Sequence, residues 1–295
     1  MMIGRAEFSK MCEFPLFEQA IDAIINSDVD ALGTLLDTHP NLVTQRSACA
    51  HQATLLHYVA TDGIATHNPQ APDHIMAIAA LLLTAGADPN ATAVLNGGGG
   101  GSTPLIGLIT STRLAPIGKR PDLIRLYCDY GDPDGIARDG RPLATAIATR
   151  ALDEAHALAQ RGALIDNVIV AAALQQVDLF ASLMRDPFPA FTDQNGVRYG
   201  TDERIEEMAL VTAAMVGSEA IVTYLAPELN VNARSPLTGS TALIEAARAG
   251  HHAIVAHLLA QGARTDLRDA DGYTAYAWAQ AQGHHAIARQ LSGAD

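Results

Sequence analysis

From Gly239 onward the chain repeats itself. Thr241 recurs as Thr274, Gly250 as Gly283 and His251 as His284, each pair 33 residues apart. Self-similarity at a fixed period of this size means stacked supersecondary units, each too small to bury its own apolar face. The copy that starts at Thr241 predicts two short helices. The first, to Ala249, carries Ala246 and Ala247, which are strong helix formers small enough to let a neighbouring helix approach. Gly250 ends it as a C-terminal glycine does. Ile254, Val255, Leu258 and Leu259 then give the second helix one apolar stripe, and Gly262 ends that helix in turn. Two such helices have no core of their own, so the unit requires neighbours on both sides.

The run T-A-L-x-x-A-A-x-x-G-H-x-x-I-V-x-x-L-L-x-x-G-A beginning at Thr241 resembles the ankyrin repeat. Ala242 and Ile244 stand where that family's T-P-L-H entry has Pro and His. The resemblance implies an all-α fold, an ankyrin-repeat solenoid of about eight helix-turn-helix units with long inserted loops. Taken in order, residues 1–15 are a lead-in and 16–295 one array. Residues 16–48 form an atypical first repeat with stripes at Phe17, Ala20, Ile21, Ile24 and at Leu32, Leu35, Leu36. Thr54 to Ala60 restarts the pattern with the family histidine in place at His57, and Ile75 to Asn90 completes that unit. Thr103-Pro104-Leu105 opens the third, whose second helix is expected over Asp122 to Tyr130. Asp139 to Ala163 gives a fourth, Val168 to Met184 a fifth and Arg204 to Leu225 a sixth. The seventh and eighth start near Gly239 and Gly272, and residues 268–291 make a C-terminal cap. Insertions interrupt this phasing at about 64–74, 94–102 (with five glycines, Gly97 to Gly101), 113–121 (with Pro116 and Pro121) and 185–203. The combination of Ala53 to Ala60, long insertions and a glycine-rich loop before Thr103 resembles bacterial single-domain ankyrin proteins.

Composition excludes several classes of function. A formal charge of −13, from 19 basic against 32 acidic residues, lacks the basic footprint that phosphate binding requires, so neither a nucleic acid nor a membrane is an expected partner. The first twenty residues carry Arg5, Glu7, Lys10 and Glu13, which interrupts any signal-peptide core. No run approaches the length of a membrane helix. Cys12, Cys49 and Cys128 show no metal or redox spacing and read as reduced thiols of a cytoplasmic protein.

No constellation for catalysis, metal or cofactor emerges, and no cofactor is expected. The two His-His pairs, His251-His252 and His284-His285, lie one repeat apart and invite a metal reading. His251 and His284, however, occupy the family's Gly-His position at a helix start, and no acidic or Cys ligand stands at a tight spacing beside them. Gly97 to Thr103 lacks the lysine of a phosphate loop. His57 sits where the family's histidine ties adjacent turns together.

Overlaying the repeats on the ankyrin resemblance gives a candidate groove. Its first column is Tyr58, Gly107, Thr145, Ala171, Thr212, Glu245 and Trp278. The positions three and four further along supply Thr61, Asp62, Thr110, Ser111, Thr149, Gln175, Met215 and Arg248. The middle of this groove is small and nearly uncharged, with Tyr58 and Asp62 at one end and Glu245, Arg248 and Trp278 at the other. Two functions follow from it. The first is a protein or peptide binding module that uses the concave groove, as the resemblance implies. The alternative is a small-molecule binding protein or enzyme whose pocket has the groove as floor and the insertions as walls.

Overall fold

A computed structural model describes residues 15–49, 51–60, 74–94, 102–134, 141–185, 191–192, 198–199, 204–236 and 238–293. Its contacts cluster into two compact units, Met1–Leu164 and Ile165–Asp295. The first holds α1 (Pro15–Ile25), α2 (Val29–Thr38), α3 (Leu55–Ala60), α4 (Ile75–Thr84), α5 (Pro104–Thr110), α6 (Arg120–Cys128), α7 (Arg141–Ala148) and α8 (Leu152–Gln160), with single 3-10 turns at Pro40–Val43 and Ala115–Ile117. The second holds α9 (Val168–Ala173), α10 (Val177–Leu183), α11 (Ile205–Val216), α12 (Glu219–Leu225), α13 (Ala242–Ala249), α14 (His252–Ala260), α15 (Ala275–Ala281) and α16 (His285–Ser292). The described helices thus pair into the eight units expected. The only described strands are β1 (Phe191–Thr192) and β2 (Arg198–Tyr199), an antiparallel pair inside the fourth insertion.

Within each unit the helices form two layers. In the first, α1, α3, α5 and α7 pack in sequence, backed by α2, α4, α6 and α8. In the second, α9, α11, α13 and α15 form one layer, with α12, α14 and α16 behind. Four of the first-layer helices, α5, α9, α13 and α15, begin at side-chain caps. Thr103, Asn167, Thr241 and Thr274 accept from the backbone N–H three residues on, each satisfying a helix-end donor worth about 1 kcal/mol. Alanine then sets the spacing between neighbours: Ala209, Ala213, Ala246, Ala247 and Ala279 are fully buried. Ala247→Leu is therefore expected to cost about 1–3 kcal/mol, because the added volume must strain a filled contact. An unchanged urea midpoint would place Ala247 outside the helix contact.

Two glycines show how consecutive repeats lock. Gly217 and Gly250 end α11 and α13 in the left-handed region (φ 82° and 87°). A Cβ at Gly217 would stand 2.5 Å from the His251 ring, and one at Gly250 2.6 Å from the His284 ring. Those imidazoles lie there because His251 Nε2 donates to the Met215 carbonyl and His284 Nε2 to that of Arg248, both at 3.2 Å. Each bond satisfies a carbonyl at a helix C-terminus, so glycine and histidine form one joint contributed by two successive repeats. Among the described residues, no group of three His, Cys, Asp or Glu side chains could hold a metal.

The loops after the second helices form a comparable ladder. Asp88 Oδ1 accepts from Asn90 N (2.8 Å), whose Nδ2 donates to the Asp132 carbonyl (3.1 Å). Asp132 Oδ1 accepts from Asp134 N (3.0 Å), whose Oδ1 accepts from Leu164 N (2.7 Å). In the second unit Asn230 and Asn232 repeat the device toward Gly262 and Arg264.

Pro121 corrects one expectation. The helix read as Asp122 to Tyr130 runs Arg120–Cys128, because proline in the first turn has its φ already set and lacks only an N–H that the helix would leave unused. The stretch read as an insertion therefore ends inside α6, and it is bound down on the unit. Arg113 donates to the carbonyls of Tyr58 (3.3 Å) and Val59 (3.0 Å) at the end of α3, and Arg120 to those of Ile109 (2.9 Å) and Ser111 (3.4 Å) at the end of α5. Arg120 Nε also meets Glu154 Oε1 of α8 at 2.7 Å, with the two side chains 19% and 6% exposed. Two arginines in one short segment thereby tie three consecutive helix pairs together. The insertions at 64–74 and 94–102 lie mostly outside the described residues, although Ala93 and Ser102 exchange both backbone hydrogen bonds at the base of the glycine loop (2.9 and 3.1 Å).

Candidate functional site

The candidate groove residues separate sharply by exposure. Tyr58, Gly107, Ser111 and Thr145 of the first unit are buried, as are Ala171, Thr212 and Glu245 of the second. Tyr58 was expected to face solvent. It is 3% exposed, its ring set edge-on to Phe17 and His51 at centroid distances of 6.2 and 6.0 Å. The cause is the brevity of the helices: α3 has six residues, all six are buried, and a helix packed on both flanks and from behind has almost no free side. A position counted along the repeat motif therefore falls at a helix contact rather than on an open wall. Thr61 and Asp62 lie outside the described residues.

Thr110, Thr149 and Gln175 are exposed, but their polar atoms are taken up by helix-end and helix carbonyls of their own or the next repeat. Thr110 Oγ1 donates to the Ile106 carbonyl (3.0 Å) and Thr149 Oγ1 to that of Thr145 (2.8 Å). Gln175 takes the left-handed place that Gly217 and Gly250 fill elsewhere (φ 55°), and its Nε2 donates to the Val216 carbonyl (2.9 Å). His57 is also committed to the fold. Its Nδ1 accepts from Thr54 N (3.1 Å) and its Nε2 donates to the Ser102 carbonyl (3.2 Å). Burial lowers its pKa to about 4, a shift added to by the Arg46 charge and opposed by the bond to Ser102. Burial likewise pushes the Cys128 thiol up to about 12, which leaves it without thiolate character.

Three candidates remain half-exposed: Met215, Arg248 and Trp278. They lie on α11, α13 and α15, and two of them touch. The Arg248 guanidinium carbon stands 3.9 Å above the Trp278 ring centroid. Trp278 Nε1 donates to Asp269 Oδ2 at 2.6 Å, and Asp269 Oδ1 accepts from the backbone of Asp271 (3.1 Å) and Tyr273 (2.8 Å). The Tyr273 ring packs tilted against the indole at 4.9 Å and is 47% exposed; Tyr276, next along α15, is 40% exposed. The result is a patch of one guanidinium and two aromatic rings, with the central stack fixed by a carboxylate held in its own loop. Asp269 and Tyr273 were not among the residues picked from the repeat overlay. The D-x-D-G turn from Asp269 to Gly272 was the available signal, since an Asp in that setting bonds its own loop backbone.

Among the described residues, no helix is long and apolar enough to cross a membrane. A family model described as ankyrin repeats (3 copies) matches residues 168–268 and 210–295. No curated protein matches the chain.

Proposed function

The chain is an ankyrin-repeat protein, by the match over its C-terminal repeats, and we propose that it binds a protein partner through the exposed edge of α13 and α15. Ankyrin repeats are in general protein–protein interaction modules. What supports this particular surface is one observation: Arg248 lies stacked on a half-exposed Trp278 that Asp269 and Tyr273 hold in place. Tryptophan, tyrosine and arginine dominate binding energy at interfaces. A side chain already fixed in its bound rotamer also loses less freedom on association. The groove proposed from the sequence thus contracts to its C-terminal end, where Met215 extends the apolar surface on the neighbouring repeat.

The test compares two aromatic truncations in the full-length protein. Trp278→Ala is expected to weaken a partner recovered with the wild-type chain by about tenfold or more, in line with a loss of about 2 kcal/mol at a central anchor. Tyr224→Ala, on the second-layer helix α12 and 62% exposed, is expected to leave affinity unchanged. Equal binding by wild type and Trp278→Ala, with helicity intact by circular dichroism, would overturn the assignment of this surface.

A further inference from the structure

Arg248 differs from most other arginines of the chain. Arg113 and Arg120 are spent on helix-end carbonyls, Arg234 and Arg268 on loop carbonyls, and Arg125, Arg161 and Arg264 on aspartates. Arg248 stacks on Trp278 and, among the described residues, its guanidinium makes no hydrogen bond or ion pair. Asp269, the carboxylate that fixes the indole under Arg248, is occupied by Trp278 Nε1 and two backbone amides. Its negative charge at the indole N–H enriches the ring and so strengthens the hold on the cation above it. Held over the indole by its central carbon, the planar guanidinium carries its N–H groups in the fork that fits a carboxylate with two parallel bonds.

Resting on the binding role assigned above to this surface, we propose that the partner segment carries a carboxylate that docks on Arg248, next to an aromatic or aliphatic side chain that docks on Trp278 and Tyr273. Charge sets the limits of that segment. The net charge of −13 disfavours a run of acids, so one or two carboxylates within an otherwise neutral, apolar stretch fit best. Local complementarity prevails over the net charge because at physiological salt charges beyond about 8 Å are screened, whereas a paired carboxylate lies in contact.

The experiment uses a randomised heptapeptide library, acetylated and amidated at its ends so that every carboxylate comes from a side chain. It is panned against the full-length wild type, Arg248→Gln and Trp278→Ala, each first shown to be folded by circular dichroism. Affinities of enriched peptides for wild type and Arg248→Gln follow from the fluorescence of the chain's single tryptophan, Trp278, and those for Trp278→Ala from titration calorimetry. The expected result is enrichment of one Asp or Glu beside an apolar residue. Changing that acid to its amide should weaken binding to wild type at least tenfold and leave binding to Arg248→Gln unchanged, because the partner group on the protein is already gone. Arg248→Lys, which keeps the charge but loses the planar fork, should fall between the two. Peptides that bind wild type but not Trp278→Ala, yet show no preference for an acid over its amide, would overturn the carboxylate inference and leave the binding surface standing. Peptides indifferent to both substitutions, or no enrichment by wild type, would overturn both.

Discussion

Arg120→Ala is expected to destabilise the N-terminal unit by about 3–5 kcal/mol, the cost of removing one partner from a buried ion pair. Glu154 is 5% exposed and would keep its charge in the stack with nothing opposite. The carbonyls of Ile109 and Ser111 would lose their donor at the same time. The diagnostic comparison is Arg120→Met combined with Glu154→Leu. Apolar groups of similar volume need no solvation, so the double variant should regain much of the loss although it lacks both charges. Urea titrations followed by circular dichroism measure this. A double variant as unstable as Arg120→Ala alone would mean that the backbone bonds of Arg120, and not its pairing with Glu154, hold the unit.

Acidification should weaken the same unit through His57. Its folded pKa is about 4, against 6.5 for an exposed imidazole, so the unfolded chain takes up a proton more readily than the folded one. The stabilisation is fully present above pH 6.5 and is lost as pH falls through the window from 6.5 to 4. The whole shift is worth about 3 kcal/mol, at 1.36 kcal/mol per unit. His51, whose pKa burial also lowers, acts in the same direction. In His57→Gln the overall stability at pH 7 should be lower, while its decline between pH 6.5 and 4 should be shallower than in wild type. Parallel pH profiles for the two proteins would rule out His57 as the titrating group.

The architecture was legible because its evidence is periodic. A glycine, a histidine and a capping threonine recurring at one spacing fix where helices start and stop, and alanine at the contacts fixes how closely they stack. The binding surface was less legible, because the same periodicity says which residues are equivalent but not which are covered. Glu245 and Trp278 hold one motif position in successive repeats. Glu245 is 2% exposed and Trp278 half-exposed, a contrast set by packing that spacing does not contain. Arg113 and Arg120 were passed over because the prolines around them mark an interruption of the repeat. Interruption proved compatible with a tight structural role, since an arginine side chain can reach carbonyls that the local backbone does not.

The joint between Gly217 and His251, made again between Gly250 and His284, bears on how such a chain can change length. The central repeat of this stretch brings a histidine, His251, for the repeat before it and a bare glycine, Gly250, for the one after. The connector is therefore self-complementary. A duplicated or deleted segment of that length leaves matching halves at the new boundary, with no compensating substitution needed. Where Ser27, Arg150 and Gln175 take the left-handed turn instead, the halves are particular to their neighbours, and a repeat cut out there would leave ends that do not fit. Growth and loss of repeats by unequal recombination should accordingly concentrate between residues 217 and 284, leaving the N-terminal unit at constant size.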